Sequence, residues 1–250
     1  MFSEKRLGSV SCFVFEELDA IPGLVHAFTS RLSDTFLKDA EGWGELTSGK
    51  KYLLKKLGIQ EKQLVFLRQI HSDRVILLSE PELRSSQPLE VGPADGVIAR
   101  HPGQFPVIQT ADCLPVIAVD PERKQVCAIH AGWRGTRNRI VQKGISRFLE
   151  KIGSEGEDLL VGIGPGIRHC CYEVGAEVWQ QFREADHDIE RCFAGGYLDL
   201  VEANKAQLET LGVGQVFDSG LCTCCRADLF YSYRREKQRE RMWALAGFLA

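Results

Sequence analysis

The chain has 250 residues, which exceeds the usual domain of about 100–150 residues and falls short of two, so it reads as one large domain over residues 1–250. Hydrophobic residues make up 44% and charged residues 26%, enough apolar material for a sizeable core and too much for a mainly disordered chain. With 31 Lys and Arg against 34 Asp and Glu, the net charge of −3 excludes a global pull toward nucleic acid or an anionic membrane.

In chain order, apolar and alternating runs predict strands at Cys12–Leu18 and Leu24–Thr29. Ser48 opens a helix carrying Tyr52, Leu53, Leu54 and Leu57, closed by Gly58. Strands follow at Leu64–Arg68 and Arg74–Leu78, then a linker-like stretch, Ser79–Pro93. Further strands are Gly96–Ala99 and a hairpin, Val116–Val119 with Gln125–Ile129 about the turn Asp120–Lys124. Thr136 caps a helix running through Leu149, with Gly153 beyond its end. A strand at Leu159–Ile163 leads into the glycine turn Gly162–Gly166, and a helix spans Ala176–Ala185. Asp199 and Glu202 form a capping box for a helix ending near Leu211-Gly212. Gln215–Phe217 and Trp243–Leu249 complete the strands. Without a regular βαβ alternation, this mixture predicts an α+β fold: a mixed β-sheet core flanked by helices.

No run of about 18 apolar residues occurs, and the N-terminus lacks the apolar core of a signal peptide, so a cytoplasmic protein is expected. In a reducing compartment the nine cysteines are free thiols by default, with metal-binding or catalytic cysteines a minority.

Three strand-end residues are the candidates for chemistry. His130 stands where an apolar strand gives way to Ala131-Gly132, Cys113 follows Asp112 ahead of Pro115, and His71 ends Leu67-Arg68-Gln69-Ile70. Converging, they could bind Zn²⁺ and leave a fourth tetrahedral position open. Their separations of 42 and 17 residues match no local metal motif; the plainer alternative is a buried Cys113, a hydrogen-bonded His130 and a surface His71. Cys222-Thr223-Cys224-Cys225, with Cys170-Cys171 lying 51 residues upstream of it, suggests a zinc clip, but it lacks the paired C-x₂₋₄-C halves such sites use, adjacent cysteines point their side chains apart, and free thiols are expected. Gly162–Gly166 is expected to be a tight turn lining a pocket, because Pro165 removes an N–H that an anion nest uses. The basic run 234–241 reads as a solvated face. Arg31 and Arg134, near strand ends, are candidates for a phosphate.

The strings Gln69-Ile70-His71, Thr110-Ala111-Asp112-Cys113-Leu114-Pro115-Val116, His130-Ala131-Gly132-Trp133-Arg134-Gly135, Gly162-Ile163-Gly164-Pro165, Cys171-Tyr172-Glu173-Val174-Gly175 and Ser232-Tyr233-Arg234-Arg235 occur in this order. Together they resemble the YfiH-type, laccase-domain (multicopper polyphenol oxidoreductase) family from about residue 24 to the C-terminus. The resemblance implies a single α+β domain of the CNF/YfiH-like fold. It also implies a purine nucleoside phosphorylase that cleaves adenosine, inosine and methylthioadenosine with phosphate, with adenosine deaminase activity. His71, Cys113 and His130 fall on the family's metal ligands; Gln69, Asp112 and Arg134 would contact substrate, and Arg31 would hold phosphate. Three departures stand out: Leu32-Ser33-Asp34 lacks the usual glycines after Arg31, Trp43–Lys56 has no asparagine, and Arg239-Glu240-Arg241 replaces a T-G-R string.

The expected cofactor is Zn²⁺, with Cu²⁺ as its substitute, and the expected partners are purine nucleosides and phosphate; no nucleic acid or membrane is expected, and the chain would be a monomer or homodimer. Two other enzymatic classes remain. One is a hydrolase of amide bonds with Cys113 as nucleophile and His130 as base, as the likeness to toxin deamidases and to cell-wall precursor editing implies. The other is weak copper-dependent phenol oxidation, limited because six histidines are too few for a multicopper centre. A non-enzymatic module with a structural zinc would need a fourth ligand such as Cys127.

Overall fold

The computed structural model describes residues 1–31, 46–78 and 87–250. The Leu32-Ser33-Asp34 departure, the front of Trp43–Lys56 and most of the Ser79–Pro93 linker lie outside them. The chain opens with β1 (Phe2–Leu7), β2 (Val10–Phe15), helix α1 (Glu16–Asp19) and β3 (Leu24–Thr29). The expected strand Cys12–Leu18 therefore ends at Phe15, and Glu16-Glu17 begin a helical turn that buries Leu18. Helix α2 (Ser48–Leu57) is capped by the Thr47 hydroxyl, which accepts from the Lys50 N–H; Ser48, the expected cap, is its first helical residue.

Strands β4 (Leu64–Arg68), β5 (Val75–Leu77), β6 (Leu89–Pro93) and β7 (Gly96–Ala99) follow. Next come β8 (Phe105–Thr110), β9 (Leu114–Asp120) and β10 (Gln125–Ala131), the last two forming the expected hairpin. The single helix expected from Thr136 is two: α3 (Trp133–Arg137) and α4 (Ile140–Ile152). Arg139 breaks them with φ 62°, its guanidinium bonding the carbonyls of Ala185 and Asp186. Thr136 lies inside α3, where its buried hydroxyl pairs with Asn204 rather than capping.

The remainder is β11 (Leu160–Ile163), α5 (Ala176–Glu184), α6 (Ile189–Cys192), the short hairpin β12 (Phe193–Ala194) and β13 (Tyr197–Leu198), α7 (Leu200–Glu209), β14 (Gln215–Asp218), α8 (Tyr233–Glu236) and β15 (Met242–Phe248). Asp199 caps α7 as expected, accepting from Val201 and Glu202; the Glu202 carboxylate turns to Arg191 and Lys205.

Among the described residues two large mixed sheets form, in the orders β1-β2-β3-β15-β8-β4-β6 and β14-β11-β9-β10-β7-β5. They stack face to face, and helices cover both outer surfaces. Alternation along the strands sorts each side chain into a layer. On β10, Val126 and Ala128 face the other sheet, while Cys127 and Ile129 face the helices that carry Ile145, Phe148, Val201 and Leu208. On β15, Ala244 and Ala246 enter the inter-sheet core, while Trp243 and Leu245 pack with Leu53 and Leu54 of α2. Because both faces of these strands are covered, they read as unbroken apolar runs, and the fold is α+β as expected.

Candidate metal centre

β4, β8, β9 and β10 bring their ends to one rim. His71 follows β4, Cys113 sits in the turn between β8 and β9, and His130 lies near the end of β10. One ligand atom from each lies within 4.8 Å of the others, with Cys113 Sγ 3.8 Å from His71 Nε2. Tetrahedral zinc with ligands at about 2.0–2.3 Å spaces its ligand atoms by roughly 3.3–3.8 Å, so this donor set fits that ion. Among the described residues no fourth His, Cys, Asp or Glu joins the group. Cys127 faces the helix layer, where burial pushes its thiol far above the ordinary range.

Asp95, fully buried just before β7, organises the rim. Its carboxylate accepts from the backbone N–H groups of Ile70, His71 and Ser72, from the Ser72 hydroxyl, and from His130 Nδ1 at 2.8 Å. His71 has φ 60°, a strained value for a residue with a Cβ, and the Asp95 bonds hold that turn. Binding Nδ1–H fixes the His130 tautomer and leaves Nε2 for a ligand. Burial opposes the Asp95 charge, yet His130 and Ser72 hold its pKa down to about 2. Burial likewise disfavours charge on Cys113, but His130 and then His71 outweigh it and lower the thiol to about 6. In return, the Cys113 thiolate and Asp95 overcome burial and raise His130.

Gly132 completes the cup. A Cβ there would lie 2.9 Å from Cys113 Sγ and 3.1 Å from His71 Cδ2, so only glycine leaves those groups their positions. Tyr172 and Arg241 stand in the electrostatic field of Cys113; burial, reinforced by the thiolate, raises the Tyr172 phenol, and burial lowers Arg241.

The other expected site residues are engaged as follows. The Gln69 amide bonds both backbone groups of Gln109, tying β4 to β8. Asp112, with φ 96°, accepts from the Thr223 hydroxyl and from the Arg234 N–H. Arg134 is exposed and lies over the Trp133 ring at 4.3 Å. Arg31 bonds the Ala227 carbonyl and Glu236, with its guanidinium 4.9 Å from the Tyr231 ring centre.

The basic run is not simply a solvated face. Arg234 donates to the Cys171 and Glu173 carbonyls, and Arg235 to those of Thr223, Cys224 and Phe230. The glycine turn is packed rather than open, with Gly164 against Phe28 and Pro115. Asp95 and Ser72 carried no motif in the sequence. The one signal was an acidic residue between Ala94 and Gly96 at the mouth of an apolar strand, where a buried carboxylate needs donors.

The model of a family described as multi-copper polyphenol oxidoreductase laccase matches residues 45–248. The chain belongs to that family. A purine nucleoside phosphorylase of Deinococcus radiodurans is 34% identical over 235 residues, covering 89% of this chain and 88% of its own. A protein named adenosine deaminase RL5, from an unidentified prokaryote, is 33% identical over 195 residues, covering 73% and 74%. The crystal structure of Bacillus licheniformis hypothetical protein YfiH superposes with a TM-score of 0.83 at 28% identity, covering 99% of this chain and 98% of that one. Family membership and the His–Cys cluster together mark a site capable of binding a metal.

Proposed function

We propose that the chain is a zinc-dependent purine nucleoside phosphorylase that converts adenosine, inosine and methylthioadenosine, with phosphate, to free base and ribose 1-phosphate, and that it also deaminates adenosine. The observation that carries this reading is the three-ligand cluster, oriented by Asp95 and left one ligand short of a closed tetrahedral shell. His71, Cys113 and His130 would hold the ion. Zinc bound there supplies Lewis-acid polarisation of a water or substrate oxygen.

The protein's own groups do the rest. Asp95 keeps His130 in the Nδ1–H form, and His130 and His71 lower the Cys113 thiol to about 6 against burial. Arg134, exposed beside the rim strands, offers a guanidinium to phosphate. Arg31 carries a second guanidinium, whose Nη1 already bonds the Ala227 carbonyl and Glu236. A phosphate oxygen bonds the anomeric carbon as its bond to the purine nitrogen breaks, and the base leaves with a proton. In the deaminase reaction water adds at the purine C6 carbon and ammonia departs.

The deciding assay supplies inosine or adenosine, with and without phosphate, to protein of measured metal content. Phosphate-dependent release of ribose 1-phosphate supports the reading; no release from metal-loaded protein removes it. The copper and phenol chemistry in the family's description has less support, since among the described residues only this cluster groups histidines closely.

One observation favours a second reading. Cys113, His130 and Asp95 also form a nucleophile, base and orienter in series, with the thiol lowered and the imidazole raised. That arrangement suits a thiol-dependent amide hydrolase. Activity that survives complete chelation but is abolished by thiol alkylation would favour it.

A further inference from the structure

A second sulfur cluster lies outside the His–Cys centre. Cys170, Cys171, Cys222 and Cys225 place all four Sγ atoms within 4.8 Å of one another, with Cys225 at 3.4 Å from Cys171 and 3.6 Å from Cys170. Four thiolates around zinc at about 2.3 Å are separated by roughly 3.8 Å, close to these spacings. We propose that these four cysteines form a second, structural metal site for zinc or another soft divalent cation.

The local chain explains how such distant residues converge. Cys170 and Cys171 occupy a tight turn in which the N–H groups of Cys171 and Tyr172 both reach back to the Arg168 carbonyl. Side chains alternate across a strand but not around such a turn, so adjacent thiols here face one partner, contrary to the sequence expectation. The second pair has the C-x₂-C spacing of zinc sites, on a turn closed by the Arg226 N–H to the Cys222 carbonyl. Cys224, between them, stays outside the group of four sulfurs. A bridge pairs Gly166 with Cys222, and Arg168 meets Asp218 with two bonds of 2.7 Å, so the turns are already braced.

The clip would act on the first site by fastening its walls. Thr223, inside the second turn, bonds the Gly166 carbonyl and the Asp112 carboxylate, and Asp112 precedes Cys113. The Cys171 carbonyl receives Arg234, which lies over Tyr172. The proposed role is independent of which reaction the His–Cys centre performs.

The test is metal stoichiometry on the full-length protein, purified with zinc and without strong chelators. Expected values are about two zinc ions per chain for the wild type and about one for Cys113→Ala, Cys222→Ser and Cys170→Ser, with Cys224→Ala still holding two. Cobalt substitution then separates the sites: Cys113→Ala should retain the spectrum of a four-thiolate tetrahedral centre and Cys222→Ser should lose it. Should Cys222→Ser fail to fold, the exposed Cys170 still allows the comparison. One zinc in the wild type, unchanged by Cys170→Ser, would overturn the proposal. So would a freshly purified protein whose intact mass shows two of these thiols joined as a disulfide.

Discussion

Asp95 Oδ1 lies 2.8 Å from His130 Nδ1, and the same carboxylate closes the strained turn that carries His71. One buried side chain therefore sets the tautomer of one metal-ligand candidate and the backbone of another. Asp95→Asn would turn an amide N–H₂ toward a ring of N–H donors. Metal affinity at the His–Cys centre should fall about 10–100-fold and stability by about 1–3 kcal/mol. Zinc competition against a chelator and a denaturant melt check both; wild-type affinity would show that Asp95 does not orient His130.

Cys113→Ser and Cys113→Ala should lose the metal held with His71 and His130, and turnover with it, because two histidines alone bind zinc weakly. In metal-free protein the Cys113 thiol, lowered to about 6, is a thiolate above that pH and a thiol below it. Alkylation monitored at Cys113 by peptide mass should be half-maximal near pH 6, and His130→Ala should move that midpoint upward. A midpoint unchanged by His130→Ala contradicts the assigned pairing.

His26 is fully buried in β3; its Nε2 accepts the Phe15 N–H at 2.9 Å, and its Nδ1 finds no partner among the described residues. Burial lowers its pKa from 6.5 to about 4. The unfolded chain then binds more protons than the folded one between those values. Stability is thus fully present above pH 6.5 and is lost as pH falls toward 4, by up to about 3 kcal/mol. Denaturant midpoints from pH 7 to 4 should fall more steeply for the wild type than for His26→Gln; parallel slopes would count against the assignment.

Gly164→Ala would place a methyl 2.3 Å from Phe28 Cε1 and 2.9 Å from Pro115 Cγ. Phe28 is pinned by Phe2 and Phe15, so the ring cannot swing away cheaply. A loss of about 1–3 kcal/mol is expected. Gly214→Ala, with nothing within 4 Å of its new carbon, should stay within about 0.5 kcal/mol. Equal melting curves for the two would mean that the turn relaxes freely.

Legibility followed the strength of local physics. The β9–β10 hairpin is plain because apolar runs flank a turn-forming Asp120-Pro121, and α7 because Asp199 caps it. β1 has only half-buried positions among charged ones, β6 begins and ends beside prolines, and β8 contains Pro106, so each lacks a clean strand signal. The three strand-end ligand candidates stand out by residue type, but their meeting is a matter of sheet order, which no spacing encodes. Asp95 resembles any turn aspartate until the N–H groups around it are seen. The four cysteines suggest a zinc clip in the sequence, but strand alternation, the rule used to set that reading aside, does not govern the turn that holds Cys170 and Cys171.

The place of β15 in its sheet has a consequence for synthesis. Antiparallel pairing sets it between β3 and β8, so without it that sheet falls into two separate trios, β1-β2-β3 and β8-β4-β6. The strand that joins them is translated after both of its neighbours, beginning at Met242 whereas β3 ends at Thr29 and β8 at Thr110. Until then β3 and β8 each expose an unpaired edge to any neighbouring chain, and contacts spanning most of the polypeptide must close late and slowly. A nascent chain of this protein therefore emerges with its hydrogen-bonding edges open, and the strand that seals them follows all the others of that sheet in the sequence.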